Sequence, residues 1–268
     1  MDIGIIGVGA IGSILAKALD KLEGIEEVWL FDRRAEKALD VAKKLSKARV
    51  ASNAKELIEN VELVVEAASQ QAVREYSYQV LSAEKDLMIM SVGALSDSTL
   101  KVELERVAFQ KSRKIYLPSG AVLGIDGIKA AKLARIDEII LTTVKSPRAF
   151  KGNEYLKRKN IDVEAVKKET ILFTGNAEEA VKYFPDNINV ASCIALAGVG
   201  AEKTKVKIIA DPKIKENIHR ISVRGSFGEF QTETKNVVCP ANPKTSYLAA
   251  LSAIATIKKI LEPIQIGT

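Results

Sequence analysis

Short apolar runs alternate with amphipathic segments through the first 120 residues. Strand-like runs fall at 3–6, 28–32, 49–51, 62–66, 86–91 and 114–117. Helical periodicity fills most of the gaps, through Ile14, Leu15 and Leu19, then at 35–45, 54–58, 72–81 and 99–110. Buried strands separated by helices of this length predict an α/β fold, a doubly wound parallel sheet with helices on both faces. Ligands of such sheets lie beyond the carboxyl ends of the strands.

The texture changes after Gly120. A helix is predicted at 124–134, a strand at 138–144, an irregular basic stretch at 146–158, a strand at 170–173 and a helix at 177–184. An Asn at 187 or 189 is suited to cap a helix running to about residue 198. Strands at 203–210, 217–224 and 229–238 follow, the last two joined through 225–228 as a hairpin. This half reads as α+β with a mixed sheet. A strongly helical run from Tyr247 to Leu261 ends the pattern.

The first strand leads into Gly7-x-Gly9-x-x-Gly12. In that setting Gly7 makes the tight turn, Gly9 lets backbone approach a pyrophosphate, and Gly12 lets helix pack on strand. The N–H groups of Ala10, Ile11 and Gly12 then open a helix and face an anion. A glycine turn without a ligand is the plainer alternative. Against it stands Asp32, which ends the second strand about twenty positions on, where a ribose diol is recognised. Arg33 and Arg34 beside it are suited to a 2′-phosphate, so both NAD and NADP are expected as cofactors. The loops after the later strands hold Ala67, Ala68, Ser91, Gly93 and Ala121, mostly small residues that allow close approach to a cofactor.

Composition narrows the classes. The chain is 47% hydrophobic and 28% charged, an ordinary globular balance, and no run is long enough to span a membrane. Forty basic against 34 acidic residues gives +6, but the charges are interspersed, which argues against nucleic acid and leaves at most an attraction for anionic substrates. Cys193 and Cys239 form neither a disulfide framework nor a metal motif, so no metal is expected. The N-terminus enters a strand with no basic leader, and a cytoplasmic location is expected.

His219 is the only histidine. Ile221 and Val223 share its strand parity, while Arg220, Ser222 and Arg224 take the other face. A satisfied core histidine is the plain reading. Catalysis is the other, because a nicotinamide enzyme acting on an amine or alcohol needs a proton acceptor near neutrality. Asn187 and Asn189 suit either helix capping or an amide contact with nicotinamide or substrate. Lys244, Arg220 and Arg148 are candidates for a substrate carboxylate, each with a solvated surface charge as the alternative. Cys193, in an apolar helical run, reads as an inert buried thiol.

Together, 66–73, 119–121 with Gly124 and Asp126-Gly127, 187–191, 216–219 and 242–250 resemble the L-aspartate dehydrogenase family, from the first strand to the last helix. The resemblance implies oxidation of L-aspartate with NAD or NADP to iminoaspartate, which hydrolyses to oxaloacetate and ammonia or enters NAD biosynthesis. It places the catalytic histidine at His219 and cofactor contacts at Ala121 and Asn189. It also implies a homodimer and an N-terminal Rossmann domain at 1–120, completed by a C-terminal helix within 240–268. The intervening catalytic and dimerisation domain, 121–239, would carry an open-faced sheet. Competing readings are a related aspartate-pathway enzyme of homoserine dehydrogenase type and a non-enzymatic NAD(H) sensor. Dihydrodipicolinate reductase is disfavoured because its paired-histidine motif needs more than one His.

Overall fold

Ile3–Ile6 (β1) and Leu63–Glu66 (β4) are buried at every residue, as strands covered on both faces must be. The computed structural model to which they belong describes residues 1–184, 188–239 and 242–268, with residues 242–244 described by backbone alone. β1 pairs in parallel with Val28–Phe31 (β2) on one side and β4 on the other. Ala48–Val50 (β3), Asp86–Ile89 (β5) and Ile115–Tyr116 (β6) extend the sheet to the order β3-β2-β1-β4-β5-β6, parallel throughout. The order of addition reverses between β1 and β4, and a crevice opens at their carboxyl ends.

The connecting helices are Ala10–Leu19 (α1), Ala35–Ala42 (α2), Ala54–Glu59 (α3), Gln70–Ser82 (α4) and Ser98–Gln110 (α5). Side-chain caps at Asn53, Ser69 and Asp97 start α3, α4 and α5. On one face of the sheet Leu15, Ala16 and Leu19 of α1 pack with Ile3, Ile5, Leu30 and Val65. Ala253 and Ile257, from the last helix (α10, Tyr247–Leu261), complete that cluster with no exposed surface. Burying a side chain the size of Ile257 contributes about 1.5–3 kcal/mol. This unit comprises Met1–Pro118 and Ala250–Gln265.

The second unit, Ser119–Ala249 with Ile266–Thr268, is built on a mixed sheet. Its strands are Ile136–Lys145 (β7), Thr170–Asn176 (β8), Thr204–Ala210 (β9), Asn217–Gly225 (β10) and Gly228–Asn236 (β11), in the order β11-β10-β7-β9-β8. β7 and β9 run parallel, and the other neighbours are antiparallel. The predicted hairpin is present, with Gly225 opposite Gly228. Helices Ile125–Ala131 (α6), Glu154–Arg158 (α7), Ala177–Tyr183 (α8) and Asn189–Ala197 (α9) contribute to the core over one face, with Leu141, Ile194, Phe173 and Phe184 inside it. The other face is open, with Arg220, Arg224 and Lys207 among polar residues around a small Val144–Ile209–Ile218 cluster.

Two local expectations needed revision, and one element is added. The stretch 146–158 is not irregular throughout: a 3-10 turn at Pro147–Phe150 and α7 anchor it through buried Phe150 and Leu156. Both pieces are too short to show a helical period. Residues Asn242–Ser246, between the predicted strand at 229–238 and the last helix, form a further strand (β13) paired with Val238–Cys239 (β12). Asn189 is the first helical residue of α9, preceded by Ile188, so it is not the cap; Asn187 lies outside the described residues. Among the described residues no helix is long and apolar enough to cross a membrane.

The packing of β1 against α1 can be tested at two glycines. A Cβ at Gly12 would overlap the Gly7 carbonyl oxygen, whereas one at Gly9 would meet nothing within 4 Å. Gly12→Ala is expected to lose about 1–3 kcal/mol in a urea or thermal melt, as overpacking does, and Gly9→Ala to stay within about 0.5 kcal/mol. Equal losses at both positions would contradict the packing argument.

Candidate active site

The turn after β1 is shaped for a dinucleotide. Gly7 has φ +96°, and a Cβ there would sit 2.5 Å from the Ala68 methyl, so the turn and the loop after β4 meet at van der Waals limits. The first helical bond runs from Ser13 N–H to the Gly9 carbonyl at 2.9 Å. The N–H groups of Ala10, Ile11 and Gly12 precede it, and the first turn of α1 carries no acidic residue. The space at Gly9, the helix start and a basic rim fit a pyrophosphate and its ribose.

A cleft of about 280 Å³ collects Gly7, Gly9, Asp32, Arg33, Arg34, Ala67 and Ala68 from the predicted set, and adds Lys37 and Tyr76. Asp32 pins the cleft wall: its carboxylate accepts the Val8 N–H at 2.8 Å and the Arg34 N–H at 3.0 Å. The two arginines differ. Arg33 is drawn to Glu75 on α4 by an ion pair, whereas Arg34 and Lys37 have no carboxylate partner among the described residues.

Glu66, at the end of β4, is a structural centre that the sequence reading passed over. It is 1% exposed, and its carboxylate accepts the N–H groups of Ala68 and Ser69 at 2.8 Å. It also accepts the N–H and hydroxyl of Ser91, both at 3.0 Å, so the loops after β4 and β5 hang on one side chain. Burial raises its pKa, and the four donors oppose that rise. Gly93 lies beyond Ser91 in a buried 3-10 turn, Val92–Ser96.

The second unit holds a buried polar cluster. His219 on β10 stands opposite Thr143 of β7 and Thr234 of β11, so the three share a face. That face is apolar toward one end, at Leu141, Ile221 and Val223, and polar toward the other, at Thr143, Lys145, Asn217, His219, Thr234 and Asn236, all buried. His219 Nδ1 is 3.0 Å from the Thr143 hydroxyl. Burial first, and then the Lys145 ammonium, lower its pKa to about 3, so the imidazole is neutral at pH 7. Thr234 Oγ1 and Asn236 Nδ2 both donate to the Ala121 carbonyl at 3.0 Å, fixing that loop and occupying its acceptor sites. The Asn217 amide donates to Ser246 Oγ at 3.4 Å.

Other candidates fall elsewhere. Asn189 opens α9 with an exposed side chain, and Arg148 is exposed on the turn after β7. Arg220 points away from His219 and pairs with Glu233 at 2.5 Å. Lys244 stands in β13, and its side chain lies outside the description. Cys193 is buried with its thiol pushed up to about 11, which leaves no thiolate for chemistry. No group of three potential metal ligands occurs among the described residues. Lys145 and Glu66 were missed because each closes an apolar strand run, where a charged residue ordinarily marks the return to solvent.

Known proteins match along the whole chain. A family model described as "Homoserine dehydrogenase, NAD binding domain" matches residues 7–118, and one described as "Aspartate dehydrogenase, C-terminal" matches residues 126–260. An L-aspartate dehydrogenase of Methanosarcina barkeri is 49% identical over 100% of both chains, and one of Methanosarcina mazei 50% identical over the same share. The crystal structure of aspartate dehydrogenase from Thermotoga maritima matches with a TM-score of 0.78 at 31% identity, over 100% of this chain and 99% of that one. A dinucleotide-type cradle in one unit, a buried histidine in the other and end-to-end similarity lead to one assignment: the chain belongs to the L-aspartate dehydrogenase family.

Proposed function

We infer that this protein is an NAD(P)-dependent L-aspartate dehydrogenase, oxidising L-aspartate to iminoaspartate, which hydrolyses to oxaloacetate and ammonia. The observation that carries the reading is one neutral, buried imidazole in a chain that aligns end to end with L-aspartate dehydrogenases. The cofactor, when bound, supplies the hydride acceptor. Gly7, Gly9 and the N–H groups of Ala10, Ile11 and Gly12 would hold its pyrophosphate, and Asp32 its ribose. Ala67, Ala68, Ser91, Gly93, Ala121 and Asn189 are assigned to its remaining contacts.

The chain's own chemistry centres on His219. A general base at Nε2 needs its lone pair there, which requires the tautomer in which Nδ1–H donates to Thr143 Oγ1 across the 3.0 Å contact. Nε2 takes the proton of the water that adds to the imine and returns it to the leaving ammonia. Fixed orientation of both substrate carboxylates supplies much of the rate; Asn187 and Lys244 are proposed to take part. A homoserine dehydrogenase-like activity is not favoured, because the matched C-terminal half is that of aspartate dehydrogenase. A non-catalytic NAD(H) sensor is not favoured either, because the chain aligns end to end with L-aspartate dehydrogenases. We further propose a cytoplasmic homodimer that feeds NAD biosynthesis.

His219→Ala is expected to cut turnover by about two to four orders of magnitude, as loss of a general base does, with NAD(P)H affinity unchanged in a fluorescence titration. Near-normal turnover across pH would remove the assignment.

The depressed pKa also fixes a pH dependence of stability. The unfolded histidine protonates near 6.5 and the folded one near 3, so stability is full above the unfolded value and falls as pH drops between the two. From pH 7 to 5 the parent should lose about 2 kcal/mol more than His219→Asn in urea melts; parallel curves would show that the histidine is not held neutral.

Cofactor choice gives another test. Because Arg33 is committed to Glu75, Arg34 and Lys37 are expected to receive a 2′-phosphate. Arg34→Ala should raise KM for NADP about tenfold or more, the scale of one lost charged hydrogen bond, and leave KM for NAD nearly unchanged. An equal rise for both cofactors would refute a 2′-phosphate role.

A further inference from the structure

The rim of the nucleotide cleft carries an ion pair whose two members are placed differently. Arg33 follows Asp32 in the loop after β2 and lines the cleft, whereas its partner Glu75 belongs to α4 and stands outside the lining. Ala72 and Tyr76 of that helix, four residues apart and so on one face, do line it. Glu75 therefore reaches Arg33 from beside the cleft wall. Tyr76 is held by an edge-to-face contact with Phe31, the last residue of β2, with ring centroids 6.2 Å apart. Its hydroxyl serves both charges. The Tyr76 hydroxyl and then Glu75 hold the Arg33 guanidinium above its ordinary pKa, and the same hydroxyl with Arg33 holds the Glu75 carboxylate below the usual range. Both members are ionised at pH 7, and the pair is neutral as a whole.

As a fastener the pair counts for little. Its side chains are 65% and 36% exposed, and ion pairs open to water add little to stability. Its effect on recognition is larger, because of where Arg33 stands. Asp32 ends β2 where a ribose 2′-hydroxyl is recognised, and an arginine beside such a residue is placed to meet the 2′-phosphate of NADP. An uncommitted guanidinium would take two phosphate oxygens in a fork. One already shared with a carboxylate must first give that partner up, and the carboxylate stays at the rim facing a like charge. NAD brings a hydroxyl to the same place and meets neither cost. We propose that Glu75 is a specificity-determining residue: by neutralising Arg33 from beside the cleft it disfavours a 2′-phosphate and tilts the site toward NAD. This rests on the dinucleotide reading of the cleft. Arg34 and Lys37 remain to receive NADP, so Glu75 biases the choice of cofactor without closing it.

Fluorescence titration of the whole protein tests this, after a control on the underlying reading: the parent must bind NADH, and its failure to do so would fault the dinucleotide site rather than Glu75. Glu75→Gln removes the charge and keeps a side chain of the same size. It is expected to lower Kd for NADPH about three- to tenfold, the scale between an exposed ion pair and a charged hydrogen bond. Kd for NADH should stay within about twofold, and the thermal melt without cofactor should overlay that of the parent. A tie that only fastened α4 to the loop after β2 would lower the melt and change both affinities alike; that result, or an unchanged NADPH affinity, would overturn the proposal. A second ligand locates the effect. Adenosine 2′,5′-bisphosphate carries the 2′-phosphate and no nicotinamide, and in competition with NADH it should gain in Glu75→Gln by the same factor as NADPH. A gain for NADPH that the bisphosphate does not share would place the effect away from the ribose and overturn the proposal as well.

Discussion

The nucleotide-facing end of the first sheet depends on one buried carboxylate. Glu66 gathers the N–H groups of Ala68, Ser69 and Ser91 and the Ser91 hydroxyl, so two loops that share no sequence are held at fixed separation. Ala68 in turn packs against the Gly7 turn at the limit of contact. Three strand ends are therefore set by one group, whose removal would leave several buried donors unmatched at about 1–3 kcal/mol each. The crevice at the switch point is a general property of the topology; the tie between the loops after β4 and β5 is a property of Glu66.

Desolvation works to a different end in the second unit. There the same sheet face passes from hydrocarbon to a polar cluster without leaving the interior. A histidine at the surface would be partly protonated near neutral pH; enclosed among Thr143, Thr234 and Lys145 it stays neutral. The enclosure that destabilises the protein in acid also keeps the imidazole available as a base. Function and stability are in tension at one side chain, which is common where charge is handled in a dry site.

Much of this was legible in the sequence, and for identifiable reasons. The parallel sheet announces itself because its strands are buried on both faces and its helices are long enough to show a period. The glycine spacing reports backbone clashes that are local, as at Gly12 against Gly7. The hairpin at 225–228 and the isolated His219 needed only parity and count. What stayed hidden was set by tertiary neighbours. Glu66 and Lys145 look like ordinary charged strand ends until the register shows what encloses them. Arg33 and Arg34 are indistinguishable in sequence, and only Glu75 on a separate helix tells them apart. The short helix at Glu154–Arg158 and the strand at Asn242–Ser246 owe their existence to packing and pairing rather than to pattern.

The last helix carries a consequence for how the chain is made. Ala253 and Ile257 lie in the same buried cluster as Ile3, Ile5 and Leu15, so the hydrophobic interior of the N-terminal sheet is closed by residues synthesised almost 250 positions later. While the chain is still emerging from the ribosome, α1 and α2 cover only part of that face, and the rest must wait. Loop-closure entropy over such a span makes this contact slow to form, and an unfinished sheet is the kind of surface on which nascent chains associate wrongly. The unit that is translated earlier is thus among the last to be completed, and its core closes only after Ile257 has been made.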